Sequence, residues 1–344
     1  MIDKNKIIMT RDKSIDLLRS LGLILVILVH SSAPYTISQI RSFDVPLMVF
    51  VSALTFKPIS VNQYFSYLWK RTKRLVIPTW LFAAFFLLFL FVLQSAVMQA
   101  IGKNLDVFRA NMLLPTFLLW NRGGVGYLWI IRVFLLVMVI SPFLQMLIKK
   151  LDSKWIVLII FIALLCTDGL YYILQTCPMN STLSFILDEY MIYLLGYGAV
   201  FLSGLELAQR STPKSKAIFL FLLVLLVCLI VTMVIRNGLP ICFSDYKYPP
   251  RLYFLAYGII ISSLLWLPRN YYSKVNNIKI LQFMGQNSMW IYLWHIFVLY
   301  VASVVPMPWF VKWPVVTLAS TFIVWMQSKI ADKIPGQFSK YLKG

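Results

Sequence analysis

Residues 14–30 read SIDLLRSLGLILVILVH, an apolar helix that carries an acid, a base and an imidazole. His30 comes eleven residues after Arg19. At about 100° per residue, both project from one face, about 16 Å apart along the axis. Asp16 lies one turn before Arg19, near the same stripe. Because charged groups are costly in lipid and normally face a bundle interior or a wet cavity, this face predicts a functional site. The alternative is that Asp16 and Arg19 anchor the helix at the interface and His30 is a buried packing residue.

The composition is that of a polytopic membrane protein. Of the 344 residues, 60% are hydrophobic and 13% are charged, whereas a soluble domain has roughly 45–50% apolar and 25% charged residues. The formal charge of +20 would suggest nucleic acid as a partner of a soluble protein, but here it bears on orientation, and we expect no nucleic acid. The first apolar run contains charges and no small-residue cleavage site, so we expect it to be retained rather than cleaved as a signal peptide.

Ten apolar runs can be drawn that are long enough, or nearly so, to cross a bilayer, which takes about 20 residues for about 30 Å. We therefore predict an all-α fold of about ten transmembrane helices, forming one domain over residues 1–344 with no appended soluble domain. The second run is short, and the last two are the hardest to separate. The runs are 15–35, 43–57, 75–98, 125–148, 155–176, 184–205, 216–235, 250–268, 286–305 and 309–328.

Most of the 32 Lys and Arg residues lie in alternate connections between these runs, for example 57–74, 149–154 and 210–216. We call the side of the membrane that holds them the basic side, and the other side the opposite side. Cytoplasmic loops carry the excess of Lys and Arg, so the basic side and both termini are predicted to be cytoplasmic.

The four cysteines have no close spacing, so they predict neither a disulfide framework nor a zinc site. Cys177 and Cys242 fall in loops of the opposite side, where a disulfide between them is an open alternative. We expect no bound metal.

A basic, aromatic segment, YFSYLWKRTKRL at residues 64–75, precedes the third run and is typical of an interfacial helix. Arg71 and Arg74 are three residues apart and can share a face, and paired guanidinium groups suit phosphate. The segment therefore suggests an anion site. The alternative is that the cluster serves only orientation and attraction to anionic lipid.

On the opposite side, WNRGGVGYLW at residues 120–129 opens the fourth run. Its glycines permit irregular backbone at the membrane surface, and its aromatic residues suit an interface or a platform for a sugar. Arg122, Tyr127 and Trp129 are the candidate binding residues there. Asp44 starts the run that follows His30, so its carboxylate is a candidate to approach and orient the imidazole.

The pattern D-x-x-R-x10-H at residues 16–30, followed by R-x-x-R at 71–74, resembles the acyltransferase-3 family of membrane O-acyltransferases. The segments GVGYLW at 124–129 and GQNSMWIYLWH at 285–295 are similar to that family too. The resemblance covers essentially the whole plan of spans, and the first two patterns are its most specific part. One departure is Ser52-Ala53, where the family usually has a Ser-Gly pair.

The resemblance implies transfer of an acetyl group from cytoplasmic acetyl-coenzyme A, a substrate rather than a permanently bound cofactor, to a hydroxyl of a cell-surface glycan. A hydroxyl is a poor nucleophile at neutral pH, and an imidazole is well suited to take its proton. The expected catalytic residues are His30 and Asp44. The expected donor-binding residues are Asp16, Arg19, Arg71 and Arg74, and the expected acceptor-binding residues are Arg122, Tyr127 and Trp129.

The main alternative is a transporter or flippase for a glycan or a lipid-linked glycan, which also needs a wet cavity with charged and aromatic walls. A second is a non-catalytic membrane partner of glycan biosynthesis machinery, in which His30 would be replaceable. His295 lies among aromatic residues and is interpreted as structural. We expect a multi-pass protein of the bacterial plasma membrane, in contact with the lipid bilayer.

Overall fold

The computed structural model describes residues 12–102, 106–120, 122–210, 212–238, 242–336 and 338–343, and this part of the chain is a bundle of α-helices. Residues 1–11 and Gly344, the two predicted cytoplasmic ends, lie outside the described residues. The helices are α1 Lys13–His30, α2 Tyr35–Ile40, α3 Asp44–Leu54, α4 Tyr64–Ile101, α5 Leu113–Phe117, α6 Trp129–Lys150, α7 Ser153–Thr176, α8 Ser181–Ile186, α9 Ile192–Gln209, α10 Pro213–Asn237, α11 Leu252–Trp266, α12 Lys279–Gln286, α13 Ser288–Ala302, α14 Trp309–Lys333 and α15 Phe338–Lys343.

Within the described residues, seven helical stretches are long and apolar enough to cross a membrane. Three further predicted spans fall short of that standard for identifiable reasons. Helix α1 is apolar but carries Lys13, Asp16 and Arg19, and α11 and α13 are apolar but have 15 residues each. The predicted all-α, polytopic membrane architecture is confirmed, and the last two predicted spans are separate helices.

Two of the predicted boundaries were wrong. The segment 64–75 is not a separate interfacial helix, because α4 runs unbroken for 38 residues, about 57 Å at 1.5 Å per residue. That is longer than the hydrocarbon core of a bilayer, so the basic turns of α4 extend past it. The run 43–57 also has the wrong limits, because the stretch that is long and apolar enough to cross a membrane is Tyr35–Leu54, of 20 residues, of which α3 forms the last 11. Helix α3 follows α2 after a short turn.

Helix α9 is the centre of the bundle and packs against α3, α6, α7 and α11. It is apolar around most of its circumference, as expected for a helix enclosed by others. The contact with α3 is close: a Cβ added at Gly204 would lie 2.7 Å from the Phe50 carbonyl oxygen and 2.8 Å from the Ala53 Cβ. Small residues allow such backbone approach in membrane bundles. Ala53, at the position of the departure from the Ser-Gly pattern, is accommodated by Gly204.

Helix α1 lies beside α3, α12, α13 and α14. The end of α1 that carries Arg19 faces the basic side, and the end that carries His30 points toward the opposite side. Cys177 and Cys242 are not joined by a disulfide. The Cys242 sulfur instead accepts a hydrogen bond from the Tyr35 hydroxyl at 2.6 Å.

Candidate functional site

The two histidines of the chain meet at the centre of the candidate site. His30 is the last residue of α1, and its Nδ1 lies 2.9 Å from Nε2 of His295, in the middle of α13. The two ring planes differ by 12° and the ring centroids lie 5.2 Å apart, which with the 2.9 Å contact between the nitrogens places the rings edge to edge and close to coplanar. His295 is fully buried, and its Nδ1 hydrogen-bonds the Tyr292 carbonyl one turn earlier. The packing of α1 against α13 thus joins residues 265 positions apart in the sequence.

Two tyrosines enclose this histidine pair. The Tyr127 ring stands edge-on to His30, with ring centroids 4.5 Å apart, and the Tyr292 ring lies 4.9 Å from His295. The Tyr292 hydroxyl donates a hydrogen bond to the Tyr127 carbonyl oxygen. This bond ties α13 to the segment that leads into α6. The structure therefore places Tyr127, a predicted acceptor-binding residue, directly against the predicted base.

Two cavities approach the pair from opposite sides of the membrane. The larger one, about 790 Å³, lies on the basic side and is lined by Arg19, Arg71, Arg74 and Tyr292 among others. The smaller one, about 360 Å³, is lined by His30 and Tyr127 and by mostly apolar side chains of α4, α13 and the loop before α6. The larger cavity thus reaches Tyr292 and the smaller one reaches Tyr127, the two partners of one hydrogen bond. The histidine pair lies beside these two tyrosines, between the cavities.

Arg19 reaches the larger cavity with its guanidinium held on two sides. Its Nη1 lies 3.4 Å from Asp16 Oδ1, and its Nη2 donates to the Thr55 hydroxyl at 3.0 Å. Asp16 is buried, and its Oδ2 also accepts a hydrogen bond from Gln286 Nε2 at 3.4 Å. Asp16 does not line the cavity, so its place among the predicted donor-binding residues is indirect: it orients Arg19.

Arg71 and Arg74 lie on the face of α4 that borders the larger cavity, and both side chains are exposed. The Arg71 guanidinium lies over the Tyr67 ring, 5.8 Å from its centroid. Lys70 and Lys73 of the same turns do not line the cavity, and Lys73 instead packs over Trp69. Three arginines therefore border one cavity on the basic side.

Asp44 does not occupy the position at His30 that we predicted. Its buried carboxylate forms an ion pair with Arg41, one turn earlier, and lies 4.0 Å from the Lys247 ammonium. It also accepts the backbone N–H of Val45 at 2.8 Å. The local spacing explains the difference, because residues three positions apart in a helical turn are neighbours, so the carboxylate of Asp44 can pair with the guanidinium of Arg41. The Nδ1 of His30 contacts His295 Nε2 instead.

Arg122 and Trp129 are also separated from the histidine pair. Arg122 is exposed in the loop before α6 and lines neither cavity. Trp129 is buried at the start of α6, where its ring packs against Tyr193 at 5.9 Å and Tyr248 at 5.2 Å. Of the three predicted acceptor-binding residues, Tyr127 is the one that the structure brings to the smaller cavity.

Sequence reasoning missed two features of this region. His295 was interpreted as structural, although a second imidazole in a membrane helix was a signal that the chain offered. Arg132 lies one turn inside the apolar helix α6 and forms a buried ion pair with Glu189 at 2.5 Å. Glu189 lies in the single π-helical turn Leu187–Met191 that precedes α9. A buried arginine in an apolar run indicates such a partner.

The fold and the site define a class of membrane protein: a helical bundle in which an arginine-lined cavity approaches a hydrogen-bonded histidine pair. A family model described as an acyltransferase domain matches residues 12–327. The chain belongs to this family, acyltransferase-3, and is a membrane acyltransferase. Comparisons with curated proteins and with solved structures found no match.

Proposed function

We propose that this acyltransferase moves an acetyl group from cytoplasmic acetyl-coenzyme A to a hydroxyl of a cell-surface glycan, with His30 as the general base. The observation that carries the proposal is the position of His30, at the level where the arginine-lined cavity and the smaller cavity approach each other. A donor and an acceptor that enter from different sides of the membrane would meet there.

The larger cavity suits an anionic donor. Arg19, Arg71 and Arg74 supply guanidinium groups at its wall, and such groups bind phosphate through charge-assisted hydrogen bonds. Its volume of about 790 Å³ falls in the usual range of ligand pockets, about 300–1,000 Å³. The nucleotide phosphates would lie at the basic mouth, and the narrow pantetheine arm would carry the thioester toward Tyr292.

The reaction then needs one proton acceptor at the end of the cavity. A ring nitrogen of His30 takes the proton of the acceptor hydroxyl while the hydroxyl oxygen bonds to the thioester carbonyl carbon. The tetrahedral intermediate collapses as the carbon–sulfur bond breaks. The proton returns from His30 to the sulfur, so the products are the ester and the free thiol of coenzyme A.

The acceptor would enter through the smaller cavity, where Tyr127 can stack on a sugar ring. Arrival from the opposite side fits a surface glycan made by neighbouring biosynthetic enzymes, in the bacterial plasma membrane. A transporter or flippase would use the same two cavities without consuming the donor, so acyl transfer itself distinguishes the two functions.

The test compares His30→Ala and His30→Gln with the unaltered protein, using radiolabelled acetyl-coenzyme A and membranes that contain the surface glycan. Loss of the base should lower turnover by about 10²–10⁴-fold in both variants. Glutamine should not rescue, since its amide cannot accept the proton. Donor binding, measured by isothermal titration on purified protein, should stay within about twofold. Transfer of label by His30→Ala at the unaltered rate would refute the mechanism.

A further inference from the structure

The hydrogen bonds of the histidine pair determine where each ring carries its proton. A carbonyl oxygen can only accept, so His295 Nδ1, which contacts the Tyr292 carbonyl, must donate and carries a proton. In a neutral imidazole the other nitrogen then accepts. His295 Nε2 is therefore an acceptor, and His30 Nδ1, 2.9 Å away, must be the donor.

We propose that His295 is a positioning residue, which holds His30 in the tautomer with its proton on Nδ1 and its lone pair on Nε2. The geometry of the pair supports a directed bond, because rings 12° from coplanar place the lone pair of Nε2 and the N–H of Nδ1 nearly in one plane. The His30 Nε2, which has no hydrogen-bond partner within the part of the chain that the structure describes, lies on the edge of the ring away from His295.

The opposite arrangement would require His295 to carry protons on both nitrogens. Its Nε2 would then donate to His30 Nδ1, and the proton of His30 would occupy Nε2, which would leave no base. His295 is fully buried, and among the described residues the partners of its ring nitrogens are His30 and the Tyr292 carbonyl. No carboxylate contacts it there, so a charged ring would be buried without a counter-charge, which is costly.

Tyr127 restrains the same ring from a second direction. Its ring packs edge-on against His30 at 4.5 Å, with 66° between the planes, and both residues line the smaller cavity. A flip of the imidazole about its Cβ–Cγ bond would put Cδ2 in the place of Nδ1 and break the bond to His295. The lone pair of Nε2 is thus kept available to an acceptor hydroxyl.

This arrangement also stabilises the charge that forms on His30. When Nε2 takes a proton, the ring becomes cationic, and its Nδ1–H bond to the neutral His295 becomes charge-assisted. A carboxylate fills this position in serine hydrolases, but a buried carboxylate is expensive within a membrane. Asp44, the acid predicted to orient His30, is neutralised by Arg41 instead. The catalytic use of the tautomer rests on the proposed function, whereas the tautomer itself does not.

Nitrogen NMR tests the tautomer directly. The chain has two histidines, so full-length protein labelled with ¹⁵N-histidine, carrying a tag without histidine and reconstituted in lipid, gives four ring nitrogens. We expect both residues to show a protonated Nδ1 and an unprotonated Nε2, the minor tautomer of free neutral histidine. The His295→Gln variant leaves one residue and assigns the spectrum. A protonated Nε2 on His30 would overturn the proposal whatever the activity.

Two variants test the catalytic role. In His295→Gln the amide oxygen can take the place of Nε2 and accept from His30, so turnover should stay within about tenfold of the unaltered protein. In His295→Leu the acceptor is lost, and turnover should fall by about 10²-fold or more, with donor affinity unchanged. A packing role predicts the reverse order, because leucine suits an apolar core and an unpaired amide does not. Equal or better turnover with leucine would therefore contradict the proposal.

Absence of transfer by the unaltered protein would refute the proposed function, and the NMR result would still decide the tautomer.

Discussion

At the scale of single residues, the site depends on which charges are already neutralised. Asp44 and Asp16 are both buried carboxylates, and each is paired with an arginine three residues away along the chain. Arg41 takes the charge of Asp44, which leaves that acid unable to orient His30. Asp16 holds Arg19 but leaves part of its guanidinium at the cavity wall. The same local spacing thus removes one predicted catalytic residue and positions one predicted donor-binding residue.

The arginines and lysines of α4 provide a matched test of donor binding. The double variant Arg71→Ala/Arg74→Ala should raise the dissociation constant of acetyl-coenzyme A by about 10²- to 10⁴-fold, because two charge-assisted contacts contribute about 1.5–3 kcal/mol each. Lys70→Ala/Lys73→Ala removes the same formal charge from side chains that do not line the cavity, and its affinity should change by about threefold or less. Isothermal titration compares the two. Equal losses of donor affinity in the two double variants would show that the basic cluster acts only through its overall positive charge.

At the scale of elements, the contact between α1 and α12 locates Arg19. Gln286 of α12 donates to Asp16, and Gln282 donates to the Lys13 carbonyl at 2.9 Å. The backbones approach so closely that a Cβ at Gly285 would lie 2.0 Å from the Asp16 carbonyl oxygen. Glycine is therefore needed at position 285 for close approach, and this contact sets the position of the whole first turn of α1.

Gly285→Ala should lower the free energy of unfolding by about 1–3 kcal/mol, because backbone atoms of α1 must move to make room. Gly169→Ala is the matched control, since Gly169 lies within α7 with open space around its Cα. That change should be neutral or stabilising by about 0.5–1 kcal/mol, as alanine is the better helix former. Thermal unfolding of the purified proteins in detergent measures both. A stable Gly285→Ala protein would contradict the close packing of α1 on α12.

At the scale of the whole molecule, the proposed function requires that the two cavities open to different compartments. The arginine-lined cavity lies on the side that carries most of the basic connections, and the excess of Lys and Arg predicts that this side is cytoplasmic. The donor of the proposed reaction is made in the cytoplasm, so the chemistry and the charge distribution require the same orientation.

Cysteine labelling checks this orientation with residues that the chain provides. Cys177 is exposed after α7 on the opposite side, and Lys214 is exposed at the start of α10 on the basic side. In intact cells, an impermeant maleimide should label a variant that keeps Cys177 as its one cysteine. A cysteine-free protein with Lys214→Cys should react only after permeabilisation. Labelling of position 214 in intact cells, with Cys177 protected from the reagent, would show that the predicted orientation is inverted.

The sequence by itself determined the membrane class and the rough limits of most apolar helices, and it singled out the arginines that the structure places at the larger cavity. These features follow from local quantities: the length of apolar runs, the distribution of basic residues, and the periodicity that places Arg19 and His30, or Arg71 and Arg74, on one helix face. The D-x-x-R-x10-H pattern also identified His30 as the candidate base, since its members lie on one helix.

Tertiary structure decided the partners of these residues. His295 lies 265 positions from His30, and the spacing of residues along either helix contains no information about which helices pack together. Trp129 was separated from the cavity by contacts with Tyr193 of α9 and with Tyr248 of the segment before α11, which form when these parts of the chain assemble around α6. Burial makes an unpaired charge or imidazole nitrogen costly, so packing selected which acid, base and aromatic ring meet, and the local pattern could not.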